Sequence, residues 1–221
     1  GDLGDNSSLD AILDRIEADQ LDTDDHAILT QLVRTQDRIA KAYGEYQFNT
    51  IAQSLYAFIW NDLCDWYVEV SKTKIQDPSQ KETCLAIQDL CLRQSLLMLH
   101  PFTPFITEEL WYHLHFNPGW QGEPDKEGSI QYTDQGTGET LLQALADKGV
   151  SLDEGASEEI QKIRETVTLV RALKAQLNLA NNKKVTLQYE ADSIESTILE
   201  NHKDKLLRII GAKELIAREG D

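Results

Sequence analysis

The sequence predicts a mainly α protein, an antiparallel helix bundle followed by a small α/β unit. Apolar residues recur at three- and four-residue steps through most of the first 115 positions and again over 157–177. Strand-like alternation is confined to KVTLQYE (184–190), where Val185, Leu187 and Tyr189 share one face. The long aromatic stretch FNTIAQSLYAFIWNDLCDWYVEVSK (48–72) contains neither Gly nor Pro.

Taken in order, residues 1–24 form an acidic segment with one candidate helix, LDAILDRIEA. A helix is expected over 25–45, its apolar face carried by Ile28, Leu32, Val33, Ile39, Ala40 and Tyr43. The DTDD before it places carboxylates at the positive end of the helix dipole. A second long helix is expected over 49–72. Its stripe of Ala52, Leu55, Tyr56, Ile59, Leu63, Trp66, Tyr67 and Val70 should be core. Phe58 and Trp60 lie towards the stripe's edges, although Trp60, like Trp66, is also expected to be mostly buried. Ser79 and Glu82 read as a capping box opening a helix over 80–99, apolar on most sides and therefore central. His100-Pro101 ends it, and Pro104 suits the first turn of the next helix. Residues 117–138 read as a surface loop, 140–148 as a short helix and 157–177 as an amphipathic helix. A strand, a helix over 193–209 and a short strand at 214–217 complete the α/β unit. The expected organisation is 1–24 acidic segment, 25–130 bundle, 131–156 linker with a short helix, and 157–221 long helix plus α/β unit.

The net charge of −17 over 221 residues argues against diffuse binding to nucleic acid, but it is unevenly placed. Residues 1–29 carry a net −8 and 101–160 a net −10, whereas 30–75 balance and 161–190 carry +4. No apolar run is long enough to span a membrane and no secretory leader is visible. The start at Gly1 is expected of a fragment. Three cysteines, Cys64, Cys84 and Cys91, lack metal-ligand spacing and read as buried, reduced thiols of a cytoplasmic protein. Phosphate-loop, zinc-protease and nucleophile-elbow motifs are missing. GTGET (136–140) reads as a flexible linker, and His113 and His115 diverge on a helix. Asp62 and Asp65 read as structural, and no catalytic or metal site is expected.

Two segments carry a family resemblance: FNTIAQSLYAFIWNDLCDWYVEVSK (48–72) and LLMLHPFTPFITEELWYHL (96–114), followed in order by VTLVRALKAQLNLANNKKVTLQYE (167–190). Together they resemble the anticodon-binding helical domain of class I aminoacyl-tRNA synthetases. LCDWY (63–67) is most similar to the valyl enzymes. The resemblance covers 25–130 and 160–190. The HIGH-type and KMSKS-type catalytic signatures of that family are missing from the chain. The resemblance therefore implies a non-catalytic, tRNA-binding module of an ATP- and Mg-dependent valine–tRNA ligase. It further implies tRNA-Val, through its anticodon stem-loop, and the catalytic domain of the same parent chain as partners, and a monomer.

The residues suit such a role. Unpaired anticodon bases can be stacked on aromatics and read at their edges. Arg34, Arg38 and Lys41 lie on one helix face. The YQFN junction, which resembles the family's anticodon-facing region, offers Phe48 for stacking and Asn49 for a base edge. Lys72, Lys74, Arg171, Lys174, Lys183 and Lys184 are second-rank phosphate contacts. Each has a plainer alternative: a solvated helix face for Arg34, Arg38 and Lys41, a hydrophobic staple for Phe48, and a docking surface for the catalytic body in the basic 161–190 segment. The competing function is an acidic helical scaffold that binds a basic protein.

Overall fold

The computed structural model describes residues 8–116, 128–180, 183–190 and 192–218. The chain divides into two compact units, 1–154 and 155–221. The first is helical. Its elements are α1 (Leu9–Leu13), α2 (Thr23–Gly44), α3 (Phe48–Tyr56), a π-helical segment (Ala57–Tyr67), α4 (Val68–Lys74), α5 (Lys81–Leu99), α6 (Pro104–His113) and α7 (Gly138–Asp147). Short 3-10 turns occupy Ala18–Gln20 and Ile130–Tyr132. Leu29, Leu32, Ile51, Phe58, Tyr67, Ile87, Leu90 and Trp111 are among its fully buried side chains.

The acidic start is part of this bundle. Ser8 caps α1, which buries Ile12 and Leu13. Arg15 then holds Glu82 at 2.7 Å and Asp89 at 2.9 Å, both on α5. Asp10 and Asp14 meet Lys148, each at 2.6 Å. The segment expected as a linker, 131–156, contains α7, which is packed on α2. That contact is close: a Cβ on Gly138 would run into the Val33 carbonyl and the Asp37 carboxylate. Of the loop expected over 117–138, residues 117–127 lie outside the described residues.

The aromatic stretch corrects the expected stripe. Residues 48–74 are helical throughout, but the buried positions run Ile51, Ser54, Leu55, Phe58, then Leu63, Trp66, Tyr67, Val70, Ser71 and Lys74. Steps of three and four give way to one step of five, from Phe58 to Leu63. A π turn, with its i→i+5 bonds, inserts the extra residue and resets the face. Phe58, expected at the edge, is therefore wholly buried. Burial of such a side chain contributes about 1.5–3 kcal/mol. Tyr56, expected in the core, is 64% exposed, and Trp60 is 59% exposed.

Other expectations shift locally. The Ser79 capping box does not form: Gln80 is the N-cap of α5 and makes no side-chain cap, while Ser79 donates to Asp77. Glu82 is taken by Arg15 instead. The capping box lies at α2, where Asp22 accepts from the Asp24 and Asp25 amides and Asp25 accepts from the Asp22 amide. Pro104 stands in the first turn of α6 as expected. Cys64 is exposed, whereas Cys84 and Cys91 are buried.

The second unit holds α8 (Glu154–Gln176), β1 (Thr186–Tyr189), α9 (Ser193–Asn201), α10 (Lys203–Ile209) and β2 (Glu214–Ala217). The strands pair in parallel, Thr186 opposite Glu214 and Tyr189 opposite Ala217. Parallel pairing needs a crossover, which α9 and α10 supply. The single helix expected over 193–209 is broken at His202, whose ring nitrogen meets Glu159 on α8 at 2.7 Å. Leu173 and Leu177, expected on the buried face of α8, are 45% and 68% exposed, and Lys174 is buried between them.

Candidate nucleic-acid interface

The site begins with how α2 ends. The Gln47 amide donates to the Ala42 carbonyl at 2.8 Å and the Tyr46 amide to Tyr43 at 3.1 Å. This is the Schellman closure, which requires a left-handed residue just past the helix. Glycine fills that position after α7 (Gly149) and α10 (Gly211), while His115 fills it after α6 and Asn178 after α8. After α2 it is Tyr46, with φ 57°, a conformation costing an L-residue about 1–2 kcal/mol. The closure turns the chain at once into α3, with Gln47 as N-cap. Tyr46 is thrust into solvent at 80% exposure and Phe48 stands beside it at 55%. Because Phe48 is the first helical residue, it does not occupy the staple position before the N-cap.

Arg34, Arg38 and Lys41 are all exposed on α2, opposite Leu32 and Ile39. Lys41 and Arg38 lie within two turns of the junction, and Asn49 is exposed in the first turn of α3. Arg34 is further down the helix, where it edges an open groove of about 380 Å³ with Thr30, Leu142, Ala146 and Ser151. The structure thus brings Arg38, Lys41, Phe48 and Asn49 to one end of the bundle, with Arg34 leading towards it.

The second-rank residues fare differently. Lys72 is exposed and paired with Glu69 at 2.5 Å. It stands 24 residues along the helix from Phe48, roughly 35 Å at ~1.5 Å per residue, and does not join that cluster. Lys74 is a correction. It is 7% exposed, its ammonium held by Asp25 and, at 2.7 Å, by Asp22. Lys174 is another: 3% exposed, it donates to the Ile210 carbonyl at 2.6 Å and the Lys183 carbonyl at 2.9 Å. Both ammonium groups satisfy internal acceptors and are withdrawn as phosphate contacts. Arg171, Lys183 and Lys184 are exposed on the second unit.

Trp66 and Tyr67 are core for a polar reason as well as an apolar one. The Trp66 indole donates to Asp24 at 3.0 Å and the Tyr67 hydroxyl to Asp25 at 2.6 Å. Burial, and then the Asp25 charge, push the Tyr67 hydroxyl well above its ordinary value. Sequence reasoning passed over Tyr46; its signal was an aromatic residue inside the polar turn GEYQF. Among the described residues, no group of three or more His, Cys, Asp or Glu is arranged to hold a metal ion. None of their helices is long and apolar enough to cross a membrane.

Known proteins with similar sequences include valine–tRNA ligases. That of Anoxybacillus flavithermus is 30% identical over 195 residues, covering 87% of this chain and 20% of the relative. That of Bacillus thuringiensis is 33% identical over 169 residues, or 76% of this chain and 17% of the relative. That of Geobacillus kaustophilus is 30% identical over 196 residues, or 87% and 20%. The chain thus spans about a fifth of the length of these relatives. A family model described as the anticodon-binding domain of tRNA ligase matches residues 25–189, so the chain belongs to that family.

Proposed function

We propose that the chain is the tRNA-binding module of a valine–tRNA ligase and that it holds the anticodon stem-loop of tRNA-Val. The observation that carries the reading is the end of the bundle where α2, with Arg38 and Lys41 exposed in its last two turns, turns into α3 and leaves the rings of Tyr46 and Phe48 in solvent. Cations beside unstacked aromatic faces are what single-stranded bases on a phosphate backbone require. Asn49 stands where an amide can read a base edge. Arg34 extends the cationic track, and Arg171, Lys183 and Lys184 are secondary contacts. The module takes no part in bond making; ATP and Mg²⁺ serve the catalytic part of the ligase. It works in the cytoplasm, as a monomer. Against the rival scaffold reading, two acids of the 1–29 segment, Asp10 and Asp14, are already engaged by Lys148.

The test is a titration against a tRNA-Val anticodon stem-loop and a changed-anticodon control at two salt concentrations. Binding that prefers the cognate loop, weakens with salt and is reduced by Arg38→Ala and Phe48→Ala supports the reading. Equal affinity for both loops refutes anticodon recognition by this face.

A further inference from the structure

On the far side of Phe48 the same helix carries a feature that RNA binding does not explain. Tyr56 and Trp60 both stand in solvent with their rings nearly parallel, centroids 6.4 Å apart at 18°. They form one wall of an open groove of about 370 Å³. Leu55 and Ile59 line it, and Leu99, the last residue of α5, and Phe102, in the turn that follows, close the other side. Phe102 is itself fixed by stacking on Tyr43 of α2, centroids 6.0 Å apart. Just beyond Phe102 in the chain, Phe105 is 91% exposed and Ile106 55%. Clustered exposed apolar side chains are a common feature of interaction sites.

We infer that this groove is the seat for an apolar segment of the remaining polypeptide of the parent ligase, packed against this module within one chain. The inference rests on the module reading given above. Its first support is chemical. The groove is lined without a cation, an amide or a carboxylate, and its side-chain polar atoms are the Tyr56 hydroxyl and the Trp60 indole nitrogen. A nucleobase there would find few partners for its edge, and a phosphate would find no counter-charge. An aliphatic or aromatic side chain needs neither. The second support is length. The chain spans a fifth of the relatives it matches, so most of such a polypeptide lies outside it. Domains of one chain commonly meet over about 600–1,500 Å², centred on anchors such as Trp and Tyr. The groove is also preformed, since the Tyr43–Phe102 stack fixes one wall and little ordering is required on docking.

Hydroxyl-radical footprinting read by peptide mass spectrometry tests this, applied without RNA to the 221-residue chain and to the longer polypeptide containing it. Trp60, Tyr56 and Phe102 are expected to oxidise several-fold more slowly in the longer form, while Tyr46 reacts equally in both. Trp60→Glu should leave the thermal midpoint of the 221-residue chain unchanged and restore oxidation of Tyr56 and Phe102 in the longer form. Equal oxidation in both forms overturns the inference. So does protection that appears only on adding RNA, which assigns the groove to RNA. Protection in the short chain that grows with its concentration overturns it in favour of a second copy. Loss of RNA binding with protection retained removes the anticodon reading and keeps the docking seat; RNA binding without protection does the reverse.

Discussion

Lys74, in the last turn of α4, buries its ammonium against the Asp25 carboxylate in the first turn of α2, 49 residues earlier in the chain. Asp25 also accepts from the Tyr67 hydroxyl and from the Asp22 amide, while Asp22 caps α2 and meets Lys74 as well. One cluster therefore caps a helix, ties it to the far end of the aromatic helix and satisfies a buried tyrosine. Removing one partner of a buried pair leaves the other uncompensated, at about 3–5 kcal/mol. Lys74→Met should lower stability by that amount in urea unfolding. Asp25→Asn combined with Lys74→Met should recover part of the loss. RNA affinity of the folded fraction should stay unchanged, because the ammonium does not reach the surface.

The same cluster sets an alkaline limit. Burial pulls the Lys74 ammonium down, but Asp25 and Asp22 outweigh it and hold the group above its ordinary 10.5. Burial and the Asp25 charge hold Tyr67 above its ordinary 10.0. Both groups keep their protons more tightly in the folded chain than in the unfolded one. Their contribution is complete below these ordinary values and is lost as pH rises above them. The urea midpoint should therefore fall between pH 10 and pH 11.5, about the onset the ordinary values set. The double variant Lys74→Met, Tyr67→Phe should show a much flatter profile there. An unchanged slope in that variant would place the alkaline sensitivity elsewhere.

Much of the bundle was legible because helical periodicity is a local signal. Pro104, the all-round apolarity of α5 and the alternation at Val185, Leu187 and Tyr189 each report their own surroundings. The π segment was not, because a constant 3.6-residue period assigns Tyr56 to the core and Phe58 to the edge. Only the five-residue step between two buried residues, Phe58 and Leu63, reverses that. Lys74 and Lys174 were misplaced for a related reason. A lysine is buried when distant acceptors converge on it, and Asp25 and the Ile210 carbonyl lie 49 and 36 residues away in sequence. Arg34, Arg38 and Lys41 needed only the spacing within one helix to be placed on a common face.

Cysteine reactivity separates the two kinds of position directly. Cys84 and Cys91 are buried in α5, and burial pushes the Cys91 thiol far above its ordinary value. Cys64 lies on the exposed side of the π segment. Only a thiolate that reagent can reach reacts. An aromatic disulfide reagent should thus titrate one thiol of the native chain at pH 8 and three after unfolding. Cys64→Ser should abolish the native reaction; rapid labelling of Cys91 instead would contradict the packing of α5.

Tyr46 joins strain to exposure, and the two can be separated by substitution. A glycine at this left-handed position would relieve about 1–2 kcal/mol of backbone strain, offset by the greater freedom it adds to the unfolded chain. Tyr46→Gly should therefore stabilise the fold slightly, by up to about 1 kcal/mol. If the ring stacks on a base, the same change removes about 1–3 kcal/mol of binding, a roughly 5- to 150-fold loss of affinity for the stem-loop. Stability and affinity should move in opposite directions, which a purely structural residue would not show. Tyr46→Phe keeps the aromatic face and the strained backbone and should keep both properties. Unchanged stem-loop affinity in Tyr46→Gly would remove this turn from the RNA-binding face and leave recognition to Arg38, Lys41 and the first turn of α3.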